Sequence, residues 1–163
     1  MTQAPLSLQE VYKTGRPAIS FELFPPKTEE GVASLFEHLK ELVLCKPAYI
    51  TCTYGAGGST RQRTLDILSG VHARHPRIPV ASHLTCVGSS RDDLRAYLRA
   101  AVAAGVDRVV ALRGDPPKGA DAFESATDGL RHANELVELL RAEFPALGLI
   151  VAGSPETHPE APS

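Results

Sequence analysis

The stretch Val109–Gly119, "VVALRGDPPKG", decides how the rest of the chain is read. A run of small and branched apolar residues, suited to a strand buried on both faces, stops at an arginine, a glycine, an aspartate and two prolines. Glycine and proline punctuate strands, so this one ends there with Arg113 and Asp115 at its tip.

Working outward, similar runs recur at Ala18–Phe24 "AISFELF", Ala48–Tyr54 "AYITCTY", Ile78–Thr85 "IPVASHLT" and, less clearly, Gly148–Gly153 "GLIVAG". Helical patterns fill the intervals. After Thr28, residues Val32, Leu35, Phe36, Leu39 and Leu42 keep a spacing of three or four, as do Leu65, Leu68 and Val71 after Thr60. Ser90 and Asp93 form a capping box ahead of Leu94, Leu98 and Val102, and Gly105 ends that helix. A fourth helix is expected to carry Leu130, Ala133, Val137 and Leu140 and to stop before Pro145. Alternating strands and helices with short links predict a parallel sheet covered by helices, either a doubly wound open sheet or a (βα)8 barrel.

Composition narrows the function. The 163 residues are 43% hydrophobic and 22% charged, as in an ordinary soluble globular domain, and one domain over 1–163 is expected. Seventeen Lys and Arg against 19 Asp and Glu give a net charge of −2, no electrostatic case for nucleic acid or an anionic membrane. No apolar run approaches the roughly 18 to 20 residues that span a bilayer. The first residues, "MTQAPLSLQEVYKTG", lack the pattern of a signal peptide, so a cytoplasmic protein is expected. Cys45, Cys52 and Cys86 make no C-x-x-C pair and read as reduced, mostly buried thiols, with no metal site.

Polar residues gather at the strand ends. The first run carries Glu22, the second ends in Thr53 and Tyr54 before "GAGGS", the third in His83 and Thr85, and the fourth in Arg113 and Asp115; His158 follows the fifth. In a barrel all these ends open onto one face. A solvated loop would also be polar, a core histidine would explain His83, and a surface ion pair would explain Arg113 with Asp115. Glu22 and His83 lie within apolar strands, however, where an unpartnered polar group costs a few kcal/mol. A carboxyl group in apolar surroundings keeps its proton to higher pH, which suits Glu22 to general acid work. The glycines of "TYGAGGSTR" offer bare N–H groups ahead of a helix, as an anion site would, though a tight turn explains them equally.

Five blocks, "SFELFPPKTEEG", "TYGAGGSTRQRT", "HLTCVGSSRDDL", "ALRGDPPKG" and "SPETHPEA", in this order, closely resemble the methylenetetrahydrofolate reductases from about Ile19 onward. The resemblance implies a (βα)8 TIM-type barrel, of which four to five βα units are present here. It also implies FAD at the C-terminal ends of the strands. NADH or NADPH would reduce the flavin, and the flavin would reduce 5,10-methylenetetrahydrofolate to 5-methyltetrahydrofolate in ping-pong fashion. Glu22 matches the general acid that opens the folate's imidazolidine ring. Thr53 matches a position near nicotinamide and flavin, and Tyr54 and Ala56 begin the flavin-binding loop. His83, Arg113, Gly114 and Asp115 match further flavin contacts, Asp115 lying between flavin and pterin. Ala133, His158 and Ala161 match positions lining the FAD site. Ser154 stands where many members carry an aromatic ring able to stack on the flavin.

The family's later segments, with a lysine that helps hold FAD and glutamines that touch nicotinamide and folate, have no counterpart in this sequence. A barrel needs about 250 residues, so the chain is expected to be a partial member whose open sheet edge invites aggregation. A non-catalytic remnant, or a fragment that binds flavin or another chain, is the alternative reading. The choice of NADH or NADPH is open, as is a homo-oligomer.

Overall fold

The computed structural model describes residues 7–53, 60–86, 88–114 and 126–153. Five strands, β1 (Ser20–Leu23), β2 (Tyr49–Cys52), β3 (Val80–Thr85), β4 (Arg108–Leu112) and β5 (Gly148–Val151), form one sheet in the order β1-β2-β3-β4-β5. Every neighbouring pair is parallel. The helices are α1 (Leu8–Lys13), α2 (Glu29–Leu44), α3 (Arg61–Arg74), α4 (Arg91–Ala103) and α5 (Ala133–Glu143). None is long and apolar enough to cross a membrane among the described residues.

Strand order resolves the alternative that periodicity left open. A doubly wound sheet reverses direction at a switch point and places helices on both faces. Here each strand lies beside its predecessor without reversal, so the crossovers all wind the same way. The described residues thus make four βα units and a fifth strand of the (βα)8 barrel type.

Local chemistry explains where the helices start. Ser90 Oγ accepts from Asp93 N at 3.1 Å while the Asp93 carboxylate accepts from Ser90 N at 3.0 Å, the reciprocal cap expected from the sequence. Thr28 Oγ1 accepts from Gly31 N at 3.1 Å to open α2. The same S-x-x-E chemistry, with Ser7 and Glu10, starts α1, a short helix that hydrophobic periodicity missed. The α5 boundary also differs from expectation. Leu130 is fully buried but precedes the helix, which begins at Ala133 because Glu135 turns back to accept from the backbone N–H groups of Arg131 and His132.

Register sorts the strand residues onto two faces. Leu23, Ile50, Cys52, Val80, Leu84, Val109 and Ala111 point to one side and pack with Leu39, Leu68, Val71, Leu94, Leu98, Leu136 and Leu140 of the helices in the main core. The alternate residues share the other side, where one cross-strand row reads Glu22, Thr51, Ala81, Arg108, Gly148. The next row toward the strand C-termini contains His83, Val110 and Ile150, and continues at β2 with Thr53. This second face is the inward one of a barrel. Tyr49, Thr51, Arg108 and Val110 are buried on it all the same, and the Tyr12–Tyr49 hydroxyl contact at 3.2 Å sets α1 against its N-terminal end.

Candidate functional site

The polar residues of the inward face define the candidate site. Glu22 on β1 and His83 on β3 lie on either side of β2, and the carboxylate reaches across so that Glu22 Oε2 stands 3.7 Å from His83 Nε2. The His83 side chain is 14% exposed and that of Glu22 48% exposed. The enclosed carboxyl group expected from the apolar sequence around Glu22 is therefore not found. β1 is an edge strand, and Phe21 and Leu23, which made the setting look apolar, point to the opposite, helix-covered face.

Burial holds the His83 imidazole below its usual proton affinity, and the nearby Glu22 carboxylate opposes that shift more weakly. Near neutral pH the contact therefore joins a neutral imidazole to a carboxyl group. That imidazole can accept from a protonated carboxyl or donate to an ionised one. Behind β2, on the core face, burial is the main reason that the Cys52 thiol is pushed up to about 12. The Cys86 thiol is raised to about 11, again chiefly by burial, and Cys45 is exposed. Neither buried thiol is a nucleophile at neutral pH.

Thr53 continues β2 toward the site. Its N–H donates to Leu23 O at 3.0 Å, and its carbonyl accepts from the Thr64 hydroxyl at 2.8 Å, which pins the strand end to α3. At the tip of β4, the opening stretch turns at Gly114, whose φ of 89° is a left-handed conformation that side chains other than glycine's disfavour. The turn is tied to β3 by Cys86 N, which donates to Arg113 O at 3.1 Å. Arg113, half-buried, bends back so that its Nε donates to Gly114 O at 3.3 Å. Ala133 sits at the first turn of α5, half-buried, and the Cys86 thiol donates to His132 O at 3.5 Å beside it. Ala133 is thus fastened to the C-terminal end of β3.

Glu22, Thr53, His83, Arg113, Gly114 and Ala133 all lie on the inward face or at the C-terminal ends of the strands, as a barrel mouth requires. Tyr54, Ala56, Asp115, Ser154, His158 and Ala161 lie outside the described residues, and so does the glycine loop after Thr53. Two polar residues of the inward face escaped the sequence reading. Arg108, 4% exposed, donates from Nη1 to Asp107 Oδ1 at 2.9 Å. Thr51, 6% exposed, sits directly beside Glu22. Both look like ordinary strand residues until register puts them in the row of Glu22. No cluster of three or more metal-ligating side chains occurs among the described residues.

A family model described as methylenetetrahydrofolate reductase matches residues 7–163. The chain belongs to the methylenetetrahydrofolate reductase family. Within it, the chain is 42% identical over 148 residues to a maize protein named methylenetetrahydrofolate reductase (NADH) 1, covering 90% of this chain and 25% of that protein. It is 39% identical over 157 residues to the 5,10-methylenetetrahydrofolate reductase of Salmonella typhimurium, covering 96% of this chain and 50% of that one. The chain thus spans between a quarter and a half of the length of these reductases. A solved structure from Aquifex aeolicus aligns with a TM-score of 0.57 over 86% of this chain and 56% of that chain. At 12% identity that likeness shows the fold alone.

The donor set suits the flavin that the reductase resemblance implies. Thr53 offers a hydroxyl, Arg113 a guanidinium and His83 an imidazole, all toward the C-terminal ends of the strands. Flavins present carbonyl oxygens, ring nitrogens and phosphates to such donors.

Proposed function

We propose that the chain forms one domain supplying the first four to five βα units of a flavin-dependent reductase that converts 5,10-methylenetetrahydrofolate to 5-methyltetrahydrofolate, with NADH or NADPH as hydride source. The observation that carries the reading is the Glu22–His83 pair on the inward face. It sets a carboxyl group, on the edge strand β1, against an imidazole on the surface that the family's chemistry would use.

Glu22 gives its proton to the folate and opens the imidazolidine ring to an iminium ion able to accept hydride. His83, kept neutral by burial, stands 3.7 Å from the carboxyl group without quenching it as a full countercharge would. By the family resemblance Thr53 would lie near nicotinamide and flavin. His83, Arg113, Gly114 and Ala133 would hold FAD, joined by Tyr54, Ala56, Asp115, Ser154, His158 and Ala161. FAD, when bound, carries the hydride between the two substrates. Asp115 is positioned by the resemblance between flavin and pterin, where its charge bears on both.

A visible spectrum of the purified protein tests this reading. The protein should show the visible absorption bands of a bound oxidised flavin. They should bleach anaerobically with NADH or NADPH and return on adding 5,10-methylenetetrahydrofolate. A colourless protein that takes up no added FAD would defeat the proposal and leave a remnant that binds no flavin.

A further inference from the structure

The geometry points to Thr51 as a positioning residue for Glu22, a role resting on the function proposed above. The Thr51 hydroxyl is sealed from solvent and has no hydrogen-bond partner among the described residues. Leaving a buried hydroxyl unsatisfied is costly, so such an atom calls for an explanation. The oxygen is closed to bulk solvent, which directs attention to a protein group beside it that can move.

Among its described neighbours on the inward face, the one directly beside it is the best placed. In its own row Thr51 is flanked by Ala81, which has no polar side-chain atom, and by Glu22. Along its own strand the same face carries Tyr49, whose hydroxyl is engaged with that of Tyr12, and Thr53, whose hydroxyl is 3.5 Å from Leu23 O. Glu22 alone combines a strong acceptor with freedom to turn. Its side chain is half exposed, and its contact to His83, at 3.7 Å, is too long for a hydrogen bond. The carboxyl group therefore has two stations, one against His83 and one on the Thr51 hydroxyl.

The second station suits proton donation. With Thr51 donating to one carboxyl oxygen, the proton on the other oxygen is aimed away from the strand and toward the inward face. As that proton leaves, the Thr51 hydrogen bond becomes charge-assisted and shortens, so it is stronger in the transition state than before it. Atoms balance simply: the Glu22 O–H bond breaks, a bond from that proton to a folate nitrogen forms, and the carboxylate left behind keeps the electron pair. Other titratable or charged groups facing this position among the described residues are His83 from β3, Arg108 from β4 and Tyr49 from β2; Cys52 lies behind β2.

Thr51→Val, which keeps the shape and removes the hydroxyl, and Thr51→Ser, which keeps the hydroxyl, test the inference in the full protein. Two readouts are used: stopped-flow rates of the two half-reactions, and a carbon-13 titration of the Glu22 carboxyl group without flavin. Thr51→Val should leave flavin reduction by NAD(P)H within about twofold of wild type and slow folate reduction about tenfold. Its carboxyl titration should move to higher pH by about threefold in proton affinity or more, because a donor to the anion is lost. Thr51→Ser should stay near wild type in both. Unchanged folate reduction and titration in Thr51→Val would overturn the inference. So would equal losses in valine and serine variants, or a parallel fall of both half-reactions. If the wild-type protein held no flavin, the proposed function would fail, but the carboxyl titration would still decide whether Thr51 holds Glu22.

Discussion

Gly148→Val perturbs a close approach on the inward face that exists only if β5 pairs with β4 in the observed register. Gly148 lies opposite Arg108, and a Cβ there would stand 2.9 Å from Arg108 Cγ and 3.6 Å from Asp107 O. The crowded atom is in the stem of a side chain only 5% exposed, whose far end is held by Asp107 at 2.9 Å, so Arg108 has little room to yield. Two effects favour valine: about 0.5 to 1 kcal/mol from removing glycine's backbone freedom, and up to about 1 kcal/mol from strand preference. Against them stand about 1 to 3 kcal/mol for overpacking and about 1.5 to 3 kcal/mol for a displaced charge-assisted hydrogen bond. The Asp107 side chain is 36% exposed, so the last contribution belongs at the low end of its range. The costs win, with a net loss of about 2 kcal/mol.

Urea unfolding followed by circular dichroism measures it. With a slope of about 2 kcal/mol per molar, the midpoint should fall by about 1 M. In an Arg108→Ala background the obstructing stem is gone, and the same valine should cost less than about 0.5 kcal/mol. A neutral or stabilising Gly148→Val, or an equal cost with and without Arg108, would refute the register and the packing argued from it.

The remaining predictions concern titration and thiols. His83 has a depressed proton affinity in the folded state, so the unfolded chain binds the proton more readily. Its contribution to stability is present above the ordinary imidazole value of about 6.5 and is lost as pH falls through the lower folded value. Thermal unfolding midpoints should drop less on acidification through that window in His83→Gln than in wild type; parallel curves would contradict the buried neutral imidazole. With a disulfide reagent at pH 8, Cys45 should react at once, while Cys52 and Cys86, raised to about 12 and about 11 by burial, should react only on unfolding. Three fast thiols in the native protein would contradict the packing around β2 and β3.

How much of this was legible in the sequence depended on the kind of signal. Strands buried on both sides, such as Val80–Thr85 and Arg108–Leu112, announce themselves as apolar runs, and turn residues mark their ends to within about two positions. Helix α1 was missed because six residues carry too little periodicity, although Ser7 and Glu10 spell the same cap that correctly placed α4 at Ser90 and Asp93. Leu130 was assigned to α5 because burial, not helical position, explains its side chain. For the site, Glu22 and His83 stood out as polar residues inside apolar strands, yet their mutual approach is a matter of register across β2. The exposure of Glu22 was hidden too, since sequence neighbours of a strand residue face the other way. Thr51 was illegible for the same reason: threonine is common in strands, and only its cross-strand partner makes it interesting.

As the proposed acid of folate reduction, Glu22 is best probed by Glu22→Gln in the full protein, with the two half-reactions timed separately by stopped flow. The amide keeps the side chain's size but has no proton to give. Reduction of the flavin by NAD(P)H should remain within a few fold of wild type, while reoxidation by 5,10-methylenetetrahydrofolate should fall by about 100-fold or more. Equal loss in both half-reactions would make Glu22 a structural residue of the inward face, and undiminished folate reduction would remove it from the chemistry altogether.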